Sequence, residues 1–448
     1  MKIPTLPGFS PAAFNKYFKN TGWLMLARVG SLFIKMLVTA LLLPNYLGAG
    51  LNGTLNYPLT FLSLFIGLCT LGTDTIVTRQ LLKKPELKNE LLGSAFRIRL
   101  WGGMIAIPVV LGVYYLLAQY TDNPPAASFH HIGIVSLICI IQSIQIIDSY
   151  FQSQTQGKMI MLAQVGANIF SALLKLGLVL AKASVDMFII MLVVDVLLLN
   201  IGYVYLYRKE GNSIFAWKYD KAIARSILTL GWPLAFSAIF ISIYMRIGQL
   251  MVDAYLGKEA LGVYSTTIQY TESTYFIPVA LCTALFPAII NYQHNQPEVY
   301  QKRMSNLYDL MMVIAVTIAL GITLIAPTLY QLFYAKHPEF MEGARVLQIN
   351  AWGCIFVFLG TASSQYLLAE GYTKISLYRT ILGAITNISL NTYLIPRIGL
   401  TGAAISTVCS YFVSAFAILL FPKTRAHGLV LLKSLLFISL VQSLRKRF

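Results

Sequence analysis

Apolar runs of roughly twenty residues recur along the whole chain, and short polar segments separate them. Each run is long enough to cross a hydrocarbon layer of about 30 Å as a helix. The pattern predicts spans at about 22–43, 55–73, 95–117, 131–151, 159–180 and 187–207, then a basic stretch at 208–225. A second set lies at about 227–252, 262–290, 307–333, 346–369, 375–395 and 401–421. The reading is an all-α polytopic membrane protein of about twelve transmembrane helices in two six-helix bundles. Its predicted parts are an N-terminal cytoplasmic arm with an interfacial helix (1–21), a first bundle (22–207), a linker (208–226), a second bundle (227–421) and a basic tail (422–448). The arm carries Ser10-Pro11 as cap and first helical position, with Phe14, Tyr17 and Phe18 on one side and Lys16 and Lys19 on another. In the tail, 428–444 is apolar between basic residues and is read as an interfacial or re-entrant helix rather than a thirteenth span.

The halves echo each other. Tyr46-Leu47-Gly48 followed by Gly53 recurs as Tyr255-Leu256-Gly257 followed by Gly262, each time after the first helix of a set. Both sets hold an even number of spans, so the expected repeat is parallel, related by a pseudo-two-fold axis along the membrane normal, with a cavity between the bundles.

Composition sharpens this picture. Of 448 residues, 57% are hydrophobic and only 11% charged, far below the charge content of soluble domains, so a water-soluble enzyme is excluded. The formal charge of +17 would suggest nucleic acid in a soluble chain. Here it obeys the positive-inside rule: with a cytoplasmic N-terminus, twenty-three Lys and Arg fall on the inner side and five on the outer, placing both termini in the cytoplasm. No basic domain or aromatic platform for nucleic acid stands apart from the spans. Cys69, Cys139, Cys282, Cys354 and Cys409 all fall inside apolar runs without metal-ligand spacing, and they read as small packing residues. Gly48 to Gly53 matches a dinucleotide fingerprint by letter, but no strand precedes it; no cofactor or metal is expected.

Charges at membrane depth carry most of the functional information, since each costs roughly 2.5–3.5 kcal/mol at a helix centre on insertion scales. Arg28 and Lys35 are seven residues apart on the first span, hence on one helix face. Arg246 lies in the seventh span, the repeat partner of the first, and the glycine register aligns Lys35 with Tyr244, two residues away. Lys35 and Arg246 would then face each other across the cavity, with Arg28 and Lys175 as further candidates for a cationic lining. The alternative is snorkelling to headgroups or pairing with acids. Asp195 and Glu272 are the acids at depth, either counter-charges or groups that couple transport to protons. Arg97 and Arg99 mark the inner boundary of the third span.

Gln142, Gln145, Ser149 and Gln152 recur at helical spacing on the fourth span as one polar face, and the eighth span carries Tyr270 and Tyr275 among other hydroxyls and amides. Such groups suit sugar hydroxyls and ring faces, or else they bond helix to helix. Prolines 58, 108, 233, 278, 287 and 327 lie within spans and permit bends.

Tyr46-Leu47-Gly48 to Gly53, then Leu71-Gly72-Thr73-Asp74 with Arg79, resembles the opening of Wzx-type polysaccharide flippases. Asn387, Leu394-Ile395-Pro396 and Gly399-Leu400-Thr401-Gly402-Ala403-Ala404 are similar to that family's penultimate loop and last helix. Their superfamily, the multidrug/oligosaccharidyl-lipid/polysaccharide exporters, also holds the lipid II flippases and the multidrug and toxin extrusion antiporters. The resemblance implies movement of an undecaprenyl-pyrophosphate-linked oligosaccharide across the bacterial cytoplasmic (inner) membrane by alternating access. It implies no catalysis, and as partners the lipid-linked glycan, membrane lipids and other polysaccharide-assembly membrane proteins. A basic lining attracts a pyrophosphate, whereas it repels the organic cation of an antiporter. A membrane glycosyltransferase or polymerase would want clustered acids or a large outer loop, and every predicted outer loop is short.

Overall fold

The computed structural model describes residues 11–121, 123–293 and 296–439, and for 11–21, 28, 233, 234, 237, 284, 287 and 288 the backbone alone. Ser10 of the expected N-cap and the end of the expected tail helix, 440–444, lie outside the described residues. No strand occurs among those described.

Two compact units emerge, residues 1–246 and 247–448. The first contains α1 (Pro11–Lys35), a π-helical stretch (Met36–Leu42), α2 (Leu43–Ser63), α3 (Ile66–Thr70), α4 (Thr73–Lys83) and α5 (Lys88–Tyr120). The fourth span comes next in three pieces, α6 (Phe129–Ser136), α7 (Ile138–Ile141) and α8 (Ile146–Ser153); then come α9 (Gly157–Leu180), α10 (Val185–Lys209) and most of α11 (Lys221–Leu256). The second unit takes the end of α11, then α12 (Lys258–Glu272), α13 (Phe276–Ile290), α14 (Pro297–Phe333), α15 (Glu342–Ala369), α16 (Thr373–Phe416) and α17 (Pro422–Leu435).

Nine helical runs among the described residues are long and apolar enough to cross a membrane. Two of them, Gly22–Ser63 and Thr373–Leu420, hold 42 and 48 residues, about twice what one crossing needs. Each breaks midway, at Gly48 (φ 72°, ψ 174°) and at Ile398–Gly399 (Gly399 φ 61°, ψ −141°). The predicted eighth span forms α12 and α13, divided by a turn at 273–275. The sequence repeat has a backbone counterpart: Gly257 adopts φ 83° and ψ −179°, nearly the conformation of Gly48. That region is essentially closed to residues with a Cβ, which explains why both copies of the motif carry glycine.

The stretch after Gly48, which the sequence leaves between predicted spans, is helical, and Asn52 there is fully buried. The second span likewise departs from one continuous helix. It pauses at Leu71 (φ 47°) and Gly72 (φ 65°), and α4 starts afresh at Thr73. In a medium where apolar side chains gain nothing by leaving lipid, close backbone approach drives packing. Gly103 illustrates it: α5 lies so close to the Cys139 carbonyl on α7 that no side chain fits between them. All five cysteines are free, and four are buried.

At the end of unit 2, α17 spans about 21 Å, short of a crossing. It docks through His427, whose ring stacks on Tyr366 (centroids 3.4 Å apart, 6°) and whose Nε2 lies 2.5 Å from the Tyr308 hydroxyl. Burial pushes the imidazole down to about 3, so it packs as a neutral ring.

Candidate functional site

The first crossing changes its winding directly after Lys35. Over Met36–Leu42 the backbone is π-helical, and Pro44 comes next but one with no N–H to offer. Side chains add bonds to the backbone on both sides of this stretch: Thr39 Oγ1 donates to the Lys35 carbonyl (2.8 Å) and Asn45 Nδ2 to the Leu41 carbonyl (2.8 Å). α1 packs along α9, and α9 along α10. This brings three of the candidate residues together. Lys175 on α9 donates to Asp195 Oδ2 on α10 at 2.6 Å, and Ser171, one turn before Lys175, donates to Asp195 Oδ1. The Lys175 side chain is 7% exposed and that of Asp195 29%.

Lys35 lies within electrostatic reach of both members of that pair. Among the described residues no carboxylate comes within ion-pair distance of its ammonium. Within the cluster, Lys175 is therefore matched by a carboxylate and Lys35 is not. Arg28 sits seven residues earlier on α1, but its side chain is outside the described residues. Arg246, on α11, is partly buried and engaged with its surroundings.

The amide stripe of the fourth span does not form one α-helical face. Gln142–Gln145 is a 3₁₀ turn between α7 and α8, and its tighter winding rotates α8 out of the register that a 3.6 period implies. Ser149 is buried and donates to the Asp74 carbonyl (3.3 Å), whereas Gln152 is exposed and donates to Asp148 (2.6 Å). Gln142 holds its buried Nε2 without an acceptor, and Gln145 is half-buried. In unit 2 the buried Tyr270 hydroxyl meets that of Tyr334 at 2.7 Å, and Tyr275 packs edge-on against Tyr411 with centroids 6.4 Å apart. Glu272 ends α12, partly buried and engaged with neighbours.

A network that sequence reasoning passed over lies at the α4–α5–α8–α10 contact. Arg99 is 3% exposed, donates through Nε to Thr73 Oγ1 (2.6 Å) and forms an ion pair with Asp74, itself 56% exposed. Nearby, Asp148 accepts from Tyr203 (3.1 Å) and Gln152, and Tyr203 accepts from Gln164 (3.2 Å). Arg97 and Arg99 thus differ, although they are two residues apart. Arg97 is exposed and lies over the Tyr219 ring at 5.1 Å, as an interfacial cation does. Arg99→Met should lower membrane abundance of the folded protein severalfold, while Arg97→Ala should leave it near wild type; fluorescence-detected size exclusion of both variants checks this. Equal abundance would show that the Arg99–Asp74 pair contributes nothing to folding.

Among the described residues no group of three or more His, Cys, Asp or Glu could hold a metal ion.

Comparison with known proteins places this architecture. Residues 59–338 match a protein family described as polysaccharide biosynthesis protein. The chain is 22% identical over 192 residues to the probable low-salt glycan biosynthesis flippase Agl15 of Haloferax volcanii, covering 43% of this chain and 40% of that protein. Several curated relatives are matched over only a fifth to about half of their length. Solved structures match almost end to end. An inward-facing multidrug resistance MATE family transporter of the MOP superfamily superposes with a TM-score of 0.67 at 15% identity, over 93% of this chain and 95% of that one. The lipid II flippase MurJ in an inward closed conformation does so with 0.67 at 16%, over 96% and 93%.

Proposed function

The chain belongs to the polysaccharide biosynthesis protein family, and from that membership, taken with the charge arrangement around Lys35, we propose that it moves an undecaprenyl-pyrophosphate-linked oligosaccharide across a bacterial cytoplasmic membrane. On this reading it works as a multi-pass flippase of the MOP superfamily, supported by the family match and by the likeness to MATE and MurJ folds. The observation that carries it is Lys35, held at membrane depth beside a Lys175–Asp195 pair that has already used its own charge, with no carboxylate among the described residues in ion-pair reach of it. A pyrophosphate diester carries about two negative charges, and a fixed cation offsets part of the cost of removing them from water. An organic cation would be repelled at the same place. Arg246 and Arg28 are the further cations of this reading, Lys175 its internally paired member. Of the expected glycan path in unit 1, Gln145 and Gln152 offer amides to the cargo, whereas Ser149 is buried and bonded within the protein.

The test is genetic. Deletion of the gene should cause one lipid-linked oligosaccharide to accumulate on the cytoplasmic face, measured by its access to a membrane-impermeant label in spheroplasts and inverted vesicles. No accumulation, with new sensitivity to organic cations, would favour the antiporter reading instead.

The proposal needs a defined orientation. A reporter fused within 208–225 should read as cytoplasmic, and one within 121–125 as external, with both termini inside. The opposite result at either site would invert the direction of transport.

A further inference from the structure

Unit 1 carries a groove of about 480 Å³ between α5, α7 and α10. Its floor is the short α7 and the 3₁₀ turn after it, through Ile141 and Ile144. One wall is α5, through Phe96 and Leu100, and the other is α10, ending at Arg208. The shape arises from the broken fourth span: α7 holds only four residues, and α5 and α10 both pack on it. The lining is almost wholly apolar. Midway along it, Asn200 turns its amide onto the Ile141 carbonyl (2.6 Å).

The rim faces lipid, since Ile201 and Tyr205 are each 64% exposed. From Leu197 to Arg208 the α10 wall rises about 16 Å, which is half of a hydrocarbon core of about 30 Å. The groove therefore covers the depth of one leaflet. At its interfacial end Arg208 is exposed and rests over the Phe215 ring at 5.8 Å, with Lys209 next to it. Among the described residues no carboxylate lies within ion-pair distance of Arg208. An apolar slot of one-leaflet depth, closed at the headgroup level by an unneutralised guanidinium, matches an acyl chain joined to a phosphate.

We propose that this groove is a binding site for an anionic glycerophospholipid, one acyl chain lying between α5 and α10 and the phosphate on Arg208. Occupancy would fill the space between the two helices and hold unit 1 at the membrane surface through a contact independent of the cargo cations.

The experiment uses the full-length protein purified in detergent, titrated with phosphatidylglycerol or phosphatidylcholine and read by native mass spectrometry. Wild type should retain phosphatidylglycerol in preference to phosphatidylcholine. Arg208→Gln should weaken phosphatidylglycerol retention about tenfold, the worth of one charge-assisted contact. Val204→Trp, which fills the groove from its open side, should weaken it as well. Arg225→Gln, which removes a basic residue outside the groove, should change it little. Equal retention of the two lipids, or equal losses in Arg208→Gln and Arg225→Gln, would overturn the proposal in favour of diffuse attraction. Displacement of phosphatidylglycerol by an equimolar long-chain polyprenyl phosphate would also overturn it, by giving the groove to the carrier lipid.

Discussion

Lys35→Ala should reduce export at least tenfold while the protein stays at normal abundance in the membrane, and Lys35→Arg should retain part of the activity. The two readouts separate because of the surroundings of this side chain. No carboxylate among the described residues pairs with Lys35, so its removal strands no buried partner and costs the fold little. A charge-assisted contact to the cargo is worth about 1.5–3 kcal/mol, or roughly ten- to a hundredfold. Arginine keeps the charge on a longer, planar head, which explains partial rather than full rescue. Arg246→Ala should also reduce export, and the measurement is the amount of surface glycan per copy of membrane protein. Wild-type export in the Lys35→Ala, Arg246→Ala double variant would rule out an electrostatic hold on the headgroup.

Lys35 was legible in the sequence because lysine at membrane depth is costly wherever it occurs. Its partners were harder to read. Lys175 and Asp195 stand twenty residues apart on consecutive helices, and nothing in spacing says whether an acid at depth meets one lysine or the other. The choice is made by the α9–α10 packing and by Ser171, which donates to the second carboxylate oxygen. The glycine repeat translated well, since Gly48 and Gly257 need a backbone conformation that other residues avoid, and both adopt it. The amide stripe translated poorly. A 3.6 period presumes an unbroken α-helix, and the 3₁₀ turn at Gln142–Gln145 sends Ser149 into the interior and Gln152 to the surface. Arg99 was placed by position alone at the inner boundary of its span. The missing signal was Leu71-Gly72, a left-handed pause that lets α4 begin at Thr73 and swings Thr73 and Asp74 onto the guanidinium.

The Lys175–Asp195 pair leads to the opposite expectation from Lys35. Lys175→Ala should lower folded abundance, by about 2 kcal/mol of stability. A fully buried pair loses roughly 3–5 kcal/mol when one partner is removed, and Asp195, 29% exposed, retains some access to water. Lys175→Met combined with Asp195→Leu should recover abundance, because two apolar side chains of similar size fill the site without a charge left over. That double variant also decides what Asp195 does. The pair contributes no net charge beside Lys35, so removing it whole leaves the excess of the cluster unchanged. If Asp195 serves as a counter-charge, export by the double variant should keep its dependence on the proton gradient, measured with an uncoupler in intact cells. Recovered abundance with gradient-independent export would make Asp195 a coupling group, and Lys35 would then act beside a site that changes charge during the cycle.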